Sequence, residues 1–243
     1  MQPLAGDALL ALWERGATLH PIDRALHVLA YAAPGRDPEA LARLPLGVRD
    51  ALLLAARRAT LGDRIEAQDA CPACGERIEV ALACSALAAG EAPPSPEWPL
   101  EAAGYRLRLR PLDSHDAAAS AQAGDVAAAR ALLLARCVVA AEHDGESVPP
   151  EALPEAVAAA AAASVAEHDG AAELMLSLAC PRCGHAWSSV LDAAGFVWTE
   201  LAARAQRLMQ DVHALARAYG WREADILALS DARRAAYLAL ATA

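Results

Sequence analysis

Four of the six cysteines sit in two matched turns, Cys71-Pro72-Ala73-Cys74-Gly75 and Cys180-Pro181-Arg182-Cys183-Gly184. A Cys-x-x-Cys turn brings two thiols onto one tight loop, and the glycine behind it supplies the backbone freedom the turn needs. Two such turns facing one another make a tetrahedral set of four thiolates, the donor type and number that structural zinc prefers. Cys71, Cys74, Cys180 and Cys183 are therefore the candidate ligands of a structural Zn2+. Roughly 105 residues lie between the two halves, so the metal would join distant parts of the chain. The competing readings are a relic site that has lost its metal and a redox dithiol, and matched CPxCG turns suit a ribbon better than the latter. Catalytic zinc needs an open position and usually a His or carboxylate ligand; a complete set of four cysteines leaves none.

The other candidates read more plainly. Cys84 lies on the apolar face of an expected strand and Cys137 in the apolar run Leu132, Leu133, Leu134, Cys137, Val138, so both are expected in a core. His185 follows the second turn and is expected beside the ligands, partly exposed. His115, His143 and His168 stand next to Asp or Glu in polar loops or at helix ends, with no nucleophile arranged around them. No Gly-rich phosphate loop, GxSxG or HExxH occurs. No catalytic residue is assigned, and neither an enzyme nor a small-molecule substrate is expected.

These residues must be positioned by a chain of 243 residues, long enough for a real core. Hydrophobic content is 56%, much of it alanine, and aromatics are 4%, which favours closely packed helices over a β-sandwich. The basic residues are all Arg, and the net charge is −10. Residues 111–195 carry 3 Arg against 12 acids, whereas 196–243 carry 6 Arg against 5 acids. An acidic chain without a basic stripe is a poor nucleic-acid binder, because phosphate neutralisation supplies most non-specific affinity. No long uncharged stretch of large apolar residues suggests a membrane span. Asp7 and Glu14 in the first apolar stretch, with no basic residues before it, argue against a signal peptide. Six cysteines with four in CPxCG turns fit a reducing compartment better than a disulfide framework.

The hydrophobic period predicts helices over 4–17, 22–33, 38–43 and 45–60, broken by His20-Pro21 and Pro34-Gly35. Alternation predicts a strand over 77–84. Four prolines and two glycines in 90–104 predict a linker. YRLRLR at 105–110 alternates and suggests an edge strand with one Arg face. Residues 113–141 are Ala-rich and helical, split near Gly124-Asp125; 142–154 form an acidic loop, whose 142–151 stretch is read as a solvated face, with a docking surface for a basic partner as the alternative. Another helix is expected over 155–168, strands over 173–179 and 185–191, and helices over 196–219, 222–229 and 231–241. Trp198, Tyr219, Trp221 and Tyr237 hold four of the ten aromatics; a C-terminal core is the leading reading and an interface the alternative. The expected fold is α+β and mostly helical: an N-terminal helical unit (1–64), a four-cysteine zinc ribbon in two halves (65–84 and 174–195), an Ala-rich acidic helical insertion (85–173) and a C-terminal helical arm (196–243).

The stretches LLALWERGATLHPIDRAL, LPLGVRDALLLAARRATLGD, CPACGERIEV, CPRCGHAWSSVLD and, most specifically, VHALARAYGWREADILALSDARRAAYLALA at 212–241 resemble the baseplate hub assembly proteins of contractile-tailed phages and phage-tail-like contractile injection systems, in the zinc-ribbon-containing variant. Nearly the whole chain takes part, and 85–173 least. The resemblance implies a non-enzymatic role in building or forming a baseplate, with other baseplate, hub or tail-tube proteins as partners. It implies a cytoplasmic place during assembly and leaves open whether the protein stays in the particle, and whether that particle is a phage or a bacterial injection system. It adds no ligand to the four cysteines. The alternative from another class is a zinc-ribbon nucleic-acid-binding or transcription regulator, which the acidic charge disfavours.

Overall fold

The computed structural model describes residues 1–88 and 95–241. The architecture is α+β. Helices α1 (Gly6–Gly16), α2 (Pro21–Ala32), α3 (Pro38–Ala42) and α4 (Leu46–Leu61) come first. Strands β1 (Arg64–Ala70) and β2 (Arg77–Ala83) form an antiparallel hairpin, followed by the short α5 (Cys84–Ala88). A second unit holds β3 (Trp98–Ala102), β4 (Tyr105–Leu109), α6 (Ser114–Ser120), α7 (Val126–Cys137), β5 (Val138–His143), β6 (Glu146–Ser147) and α8 (Glu155–His168). The hairpin β7 (Leu174–Ala179) and β8 (Ala186–Leu191) follows, then α9 (Ala193–Tyr219), α10 (Glu223–Leu227) and α11 (Asp231–Ala241).

Two cores result. The larger is helical: Leu9, Leu12, Leu29 and Leu54 of the N-terminal helices pack with Val197, Leu201 and Leu208 of α9. The buried positions of α9 (Ala193, Val197, Leu201, Ala205, Leu208, Leu215) recur at three- and four-residue steps, so one stripe faces inward along its length. Its end is set by Gly220, whose φ of +68° continues into a left-handed cap. Arg57, 3% exposed, forks onto Glu200 of α9 (2.7 and 2.9 Å) and donates to the Gly62 carbonyl, tying α4 to α9. The flanking helical segments therefore form one body, orienting each other by direct packing. A metal at the cysteine turns would join distant parts of a chain whose helical segments this core already holds together.

The smaller core joins Trp98, Leu107, Leu109, Val138 and Ala141 of the sheet β3-β4-β5-β6 to Val157 and Ala161 of α8. This sheet changes several expectations. The expected linker 90–104 lies outside the described residues at 90–94, and at 98–102 it is strand β3. β3 is an edge strand, where Pro99 does no harm. YRLRLR is an interior strand instead of an edge: β4 pairs with both β3 and β5, while Arg106 and Arg108 reach outward to Glu142 and Glu97. The helix expected to run to 141 stops at Cys137, and the expected acidic loop 142–154 contains a hairpin turned at Asp144-Gly145, both with positive φ (52° and 87°).

The two units meet at the start of α4, whose Pro45 offers no side-chain cap. Its first amides are satisfied by the second unit: Leu46 N–H donates to the Leu112 carbonyl (3.0 Å) and Gly47 N–H to the buried Asp169 carboxylate (3.1 Å). A Cβ on Gly47 would collide with that carboxylate and with Ala171. Burial pushes the Asp169 carboxyl above its ordinary pKa, against the pull of the Gly47 amide.

Candidate metal centre

The hairpins β1–β2 and β7–β8 bring their turns together at one tip of the molecule. The two turns repeat one hydrogen-bond pattern. Cys71 N–H donates to the Glu76 carbonyl (2.9 Å) and Gly75 N–H to the Cys71 carbonyl (2.8 Å); Cys180 N–H donates to the His185 carbonyl (2.8 Å) and Gly184 N–H to the Cys180 carbonyl (3.0 Å). Gly75 and Gly184 adopt φ of +72° and +71°, the left-handed backbone that their sequence position called for.

The four sulfurs lie within 4.8 Å of one another. Cys71 Sγ and Cys183 Sγ are 3.7 Å apart, as are Cys74 Sγ and Cys180 Sγ, so each close pair crosses between the hairpins. A tetrahedron with zinc–sulfur bonds of about 2.3 Å has sulfur–sulfur edges of about 3.8 Å, and both cross pairs match that edge. Cys71 and Cys180 are buried, Cys74 and Cys183 exposed. The arrangement is compatible with a bound metal ion, and no other group of donors with such spacing occurs among the described residues.

Backbone amides already point at the sulfurs. The N–H groups of Cys183 and Arg182 hold the Cys180 thiol down at about 7. Cys74 receives the Glu76 amide, yet burial and the neighbouring thiols raise it overall. The His185 amide lowers Cys183, but Cys74, burial and the other thiols outweigh it and push Cys183 up to about 12. Four thiolates this close repel one another, so full ionisation needs a cation among them.

Around the tip, Trp187 Nε1 donates to Asp69 (3.4 Å) and Arg182 pairs with Glu76 (3.1 Å), each contact crossing from one hairpin to the other. Asp69 and Glu76 border the first turn in sequence, but nothing in the pattern pointed to their partners. Their placement depends on the two hairpins meeting.

The remaining candidates fall elsewhere. Cys84 is buried as expected, although it opens α5 instead of ending a strand, with its thiol donating to the Leu54 carbonyl (3.0 Å). Cys137 is buried at the end of α7, and burial lifts its thiol to about 11. His115 lies 3.4 Å from Glu39, His143 stacks on Tyr105 and His168 on Trp98. Trp198 belongs to the helical core: its ring fills the space where Gly16 lacks a side chain, and Arg24 lies over it at 4.6 Å. An unexpected feature is the ion cluster of the second unit, in which the fully buried Asp116 accepts from Arg110 (2.8 and 2.9 Å) and Arg136 (2.5 Å). Burial raises its carboxyl, but the guanidiniums outweigh this and hold it below the ordinary range. No helix among the described residues is long and apolar enough to cross a membrane.

Comparison with known proteins gives one family. Searches of curated proteins and of solved structures return no match. The family described as T4 bacteriophage base plate protein matches over residues 26–197. That span contains both cysteine turns and the whole second unit, the stretch from which the least was expected. It leaves out 212–241, the stretch on which the resemblance leaned most. Well over half of the 243 residues are matched, and the chain belongs to the T4 bacteriophage base plate protein family.

Proposed function

We propose that this protein is a non-enzymatic assembly or structural component of the baseplate of a contractile tail, with Cys71, Cys74, Cys180 and Cys183 holding a structural Zn2+. The family match over 26–197 carries the baseplate reading. The cross-hairpin sulfur pairs at 3.7 Å support the zinc reading. Four thiolates fill a tetrahedral shell, so a bound zinc would have no open position for water or substrate and would act as a fastener. We take the two halves of the ribbon as 65–84 and 174–195, with 85–173 inserted between them and helical segments 1–64 and 196–243 on either side. The partners would be other baseplate, hub or tail-tube proteins, met in the cytoplasm during assembly.

Two measurements test this reading. Full-length protein purified under reducing conditions without chelator should carry about one zinc per chain, and Cys180→Ser should lose it; metal-free wild-type protein overturns the zinc assignment. Cells lacking the protein should make tails without complete baseplates by electron microscopy. Intact contractile particles formed in its absence would overturn the baseplate reading. Detecting the chain in purified wild-type particles marks it as a permanent component, and finding it only in assembling cells marks it as an assembly factor.

A further inference from the structure

We infer that the cysteine tip is an oxidation site as well as a metal site: a peroxide turns its four sulfurs into two disulfides that cross between the hairpins, Cys71 with Cys183 and Cys74 with Cys180, and so releases the metal without releasing the hairpins. This rests on the zinc reading for what is released, and adds what fastens β7–β8 afterwards.

The sulfurs are sorted for this chemistry. Cys71 Sγ lies 3.7 Å from Cys183 Sγ, and Cys74 Sγ lies 3.7 Å from Cys180 Sγ. Cys74 and Cys183 are exposed, while Cys71 and Cys180 are 2% and 3% exposed. Each close pair therefore joins a sulfur open to an oxidant to one shielded from it, and the two belong to different hairpins. An accessible cysteine beside a second one that resolves its oxidised form is the arrangement of redox-responsive thiols. Cys84 and Cys137 sit apart, in the helical and the smaller core, and take no part.

Pairing across the hairpins is also the less strained choice. A disulfide needs its sulfurs about 2.0 Å apart, so any pair at the tip must draw closer. Within one turn that closure would bend a loop pinned by a proline and two backbone hydrogen bonds. These are Cys71 N–H to the Glu76 carbonyl and Gly75 N–H to that of Cys71 in the first turn, and Cys180 N–H to His185 and Gly184 N–H to Cys180 in the second. Between the turns, a small movement of one hairpin supplies the closure. The hairpin β7–β8 has no fully buried strand residue and can make it. The Trp187–Asp69 and Arg182–Glu76 contacts keep it alongside β1–β2 meanwhile.

The chemistry balances. The Cys74 sulfur attacks one oxygen of hydrogen peroxide, the O–O bond breaks, and a sulfenic acid and, after protonation, water result. The Cys180 sulfur then attacks Cys74 Sγ: the S–S bond forms, the S–O bond breaks, and the hydroxyl leaves as water. Cys183 and Cys71 react in the same way. Four thiolates give up four electrons to two peroxides and four protons are taken up, leaving two disulfides, four waters and a free cation. Thiolates hold metal where the cytoplasm keeps them reduced, and disulfides persist outside it. A chain that stays in a finished particle would keep its hairpins joined in both surroundings, because the two bonds link residues 112 and 106 positions apart, one in each hairpin.

The test is oxidation of the zinc-loaded full-length protein with a small excess of hydrogen peroxide, followed by thiol blocking, unreduced trypsin digestion and mass spectrometry. The chain has no lysine, and cuts at Arg64, Arg77, Arg136, Arg182 and Arg204 place Cys71 and Cys74 on 65–77, Cys180 on 137–182 and Cys183 on 183–204. We expect one species in which 65–77 carries both other peptides, formed in step with zinc release. Fragmentation should assign Cys71 to 183–204 and Cys74 to Cys180, not Cys137, of 137–182. Hydrogen exchange of the β7–β8 amides in this metal-free, oxidised protein should stay within about tenfold of the zinc-bound form. Exchange as fast as in chelated, reduced protein overturns the fastening. A 65–77 peptide closed on itself, with 137–182 joined to 183–204, overturns the inference and leaves the zinc reading standing. So do sulfinic or sulfonic acids without a disulfide, a bond between Cys71 and Cys180, or a disulfide-linked dimer. Protein that never carries zinc overturns the zinc reading, and the same digest then decides the pairing by itself.

Discussion

The two hairpins at the cysteine tip carry the same turn and are rooted differently. β1–β2 grows out of the helical core: Ile65 is fully buried and Ile78 nearly so. Its base is locked where Cys84 N–H donates to the Asp63 carbonyl (2.7 Å) and the Asp63 carboxylate accepts from the Ser85 amide and hydroxyl (2.9 and 2.8 Å). Its outer face is charged, with Arg64, Glu66, Arg77 and Glu79 exposed. In β7–β8 no strand residue is fully buried, and Leu174 packs on the helical core only partly buried. Its outer face is a set of uncharged cross-strand pairs, Met175 with Val190, Ser177 with Ser188 and Ala179 with Ala186. A shared sequence turn therefore hides an asymmetry of support. Core burial holds one half, and the sulfur cluster with a few polar contacts holds the other, so a metal there would fasten a weakly rooted hairpin to a strongly rooted one.

Metal removal should have the largest effect and be confined to one side. Chelation, or Cys180→Ser, should lower hydrogen-exchange protection of the β7–β8 amides by about two orders of magnitude while α1, α2, α4 and α9 keep theirs. Uniform loss over the whole chain would mean that the metal holds the helical body too, and unchanged exchange would mean that the sulfur site fastens nothing. Truncation gives the next contrast. Ile65→Ala should cost about 3–4 kcal/mol of unfolding free energy, as for a fully buried aliphatic side chain. Leu176→Ala, half-buried on the weaker hairpin, should cost about 1–2 kcal/mol. Equal costs in denaturant melts would erase the difference in rooting.

The parts of this molecule legible in the sequence are those written locally. The CPxCG turns announce their thiols and their left-handed glycines within five residues, and the stripe of α9 repeats often enough to be read. Parts that depend on distant pairing were not legible. Val138–His143 continues an Ala-rich run and becomes a strand because β4 lies beside it, a choice made by tertiary pairing over local propensity. Trp98–Ala102 hides among prolines, which an edge strand tolerates. The Gly47–Asp169 contact joins residues 122 positions apart, and neither neighbourhood carries a sign of the other. The four ligand candidates were readable, whereas Asp69, Glu76 and Trp187 around them acquire a role only once the hairpins are side by side.

Two smaller tests probe what holds each hairpin besides sulfur and core. Trp187→Phe keeps the ring's bulk and removes the donor to Asp69. At 3.4 Å this bond is long, so the loss should be about 0.5–1 kcal/mol, visible as faster exchange in β8 and absent from β1–β2.

The base of the stronger hairpin should answer to acid. The Ser85 hydroxyl, then its amide, hold the Asp63 carboxyl below its ordinary value of 3.8. A carboxyl whose folded value is depressed contributes stability that is fully present above the ordinary value and is lost as the pH falls through the folded one. Exchange at the root of β1–β2 should therefore rise below about pH 4, while the outer pairs of β7–β8, which hold no carboxylate, respond less. Ser85→Ala removes the larger cause and should move the Asp63 titration, followed by NMR, back toward 3.8. An unchanged titration would show that the hydroxyl does not hold Asp63, and the acid response at this root would then need another carboxylate.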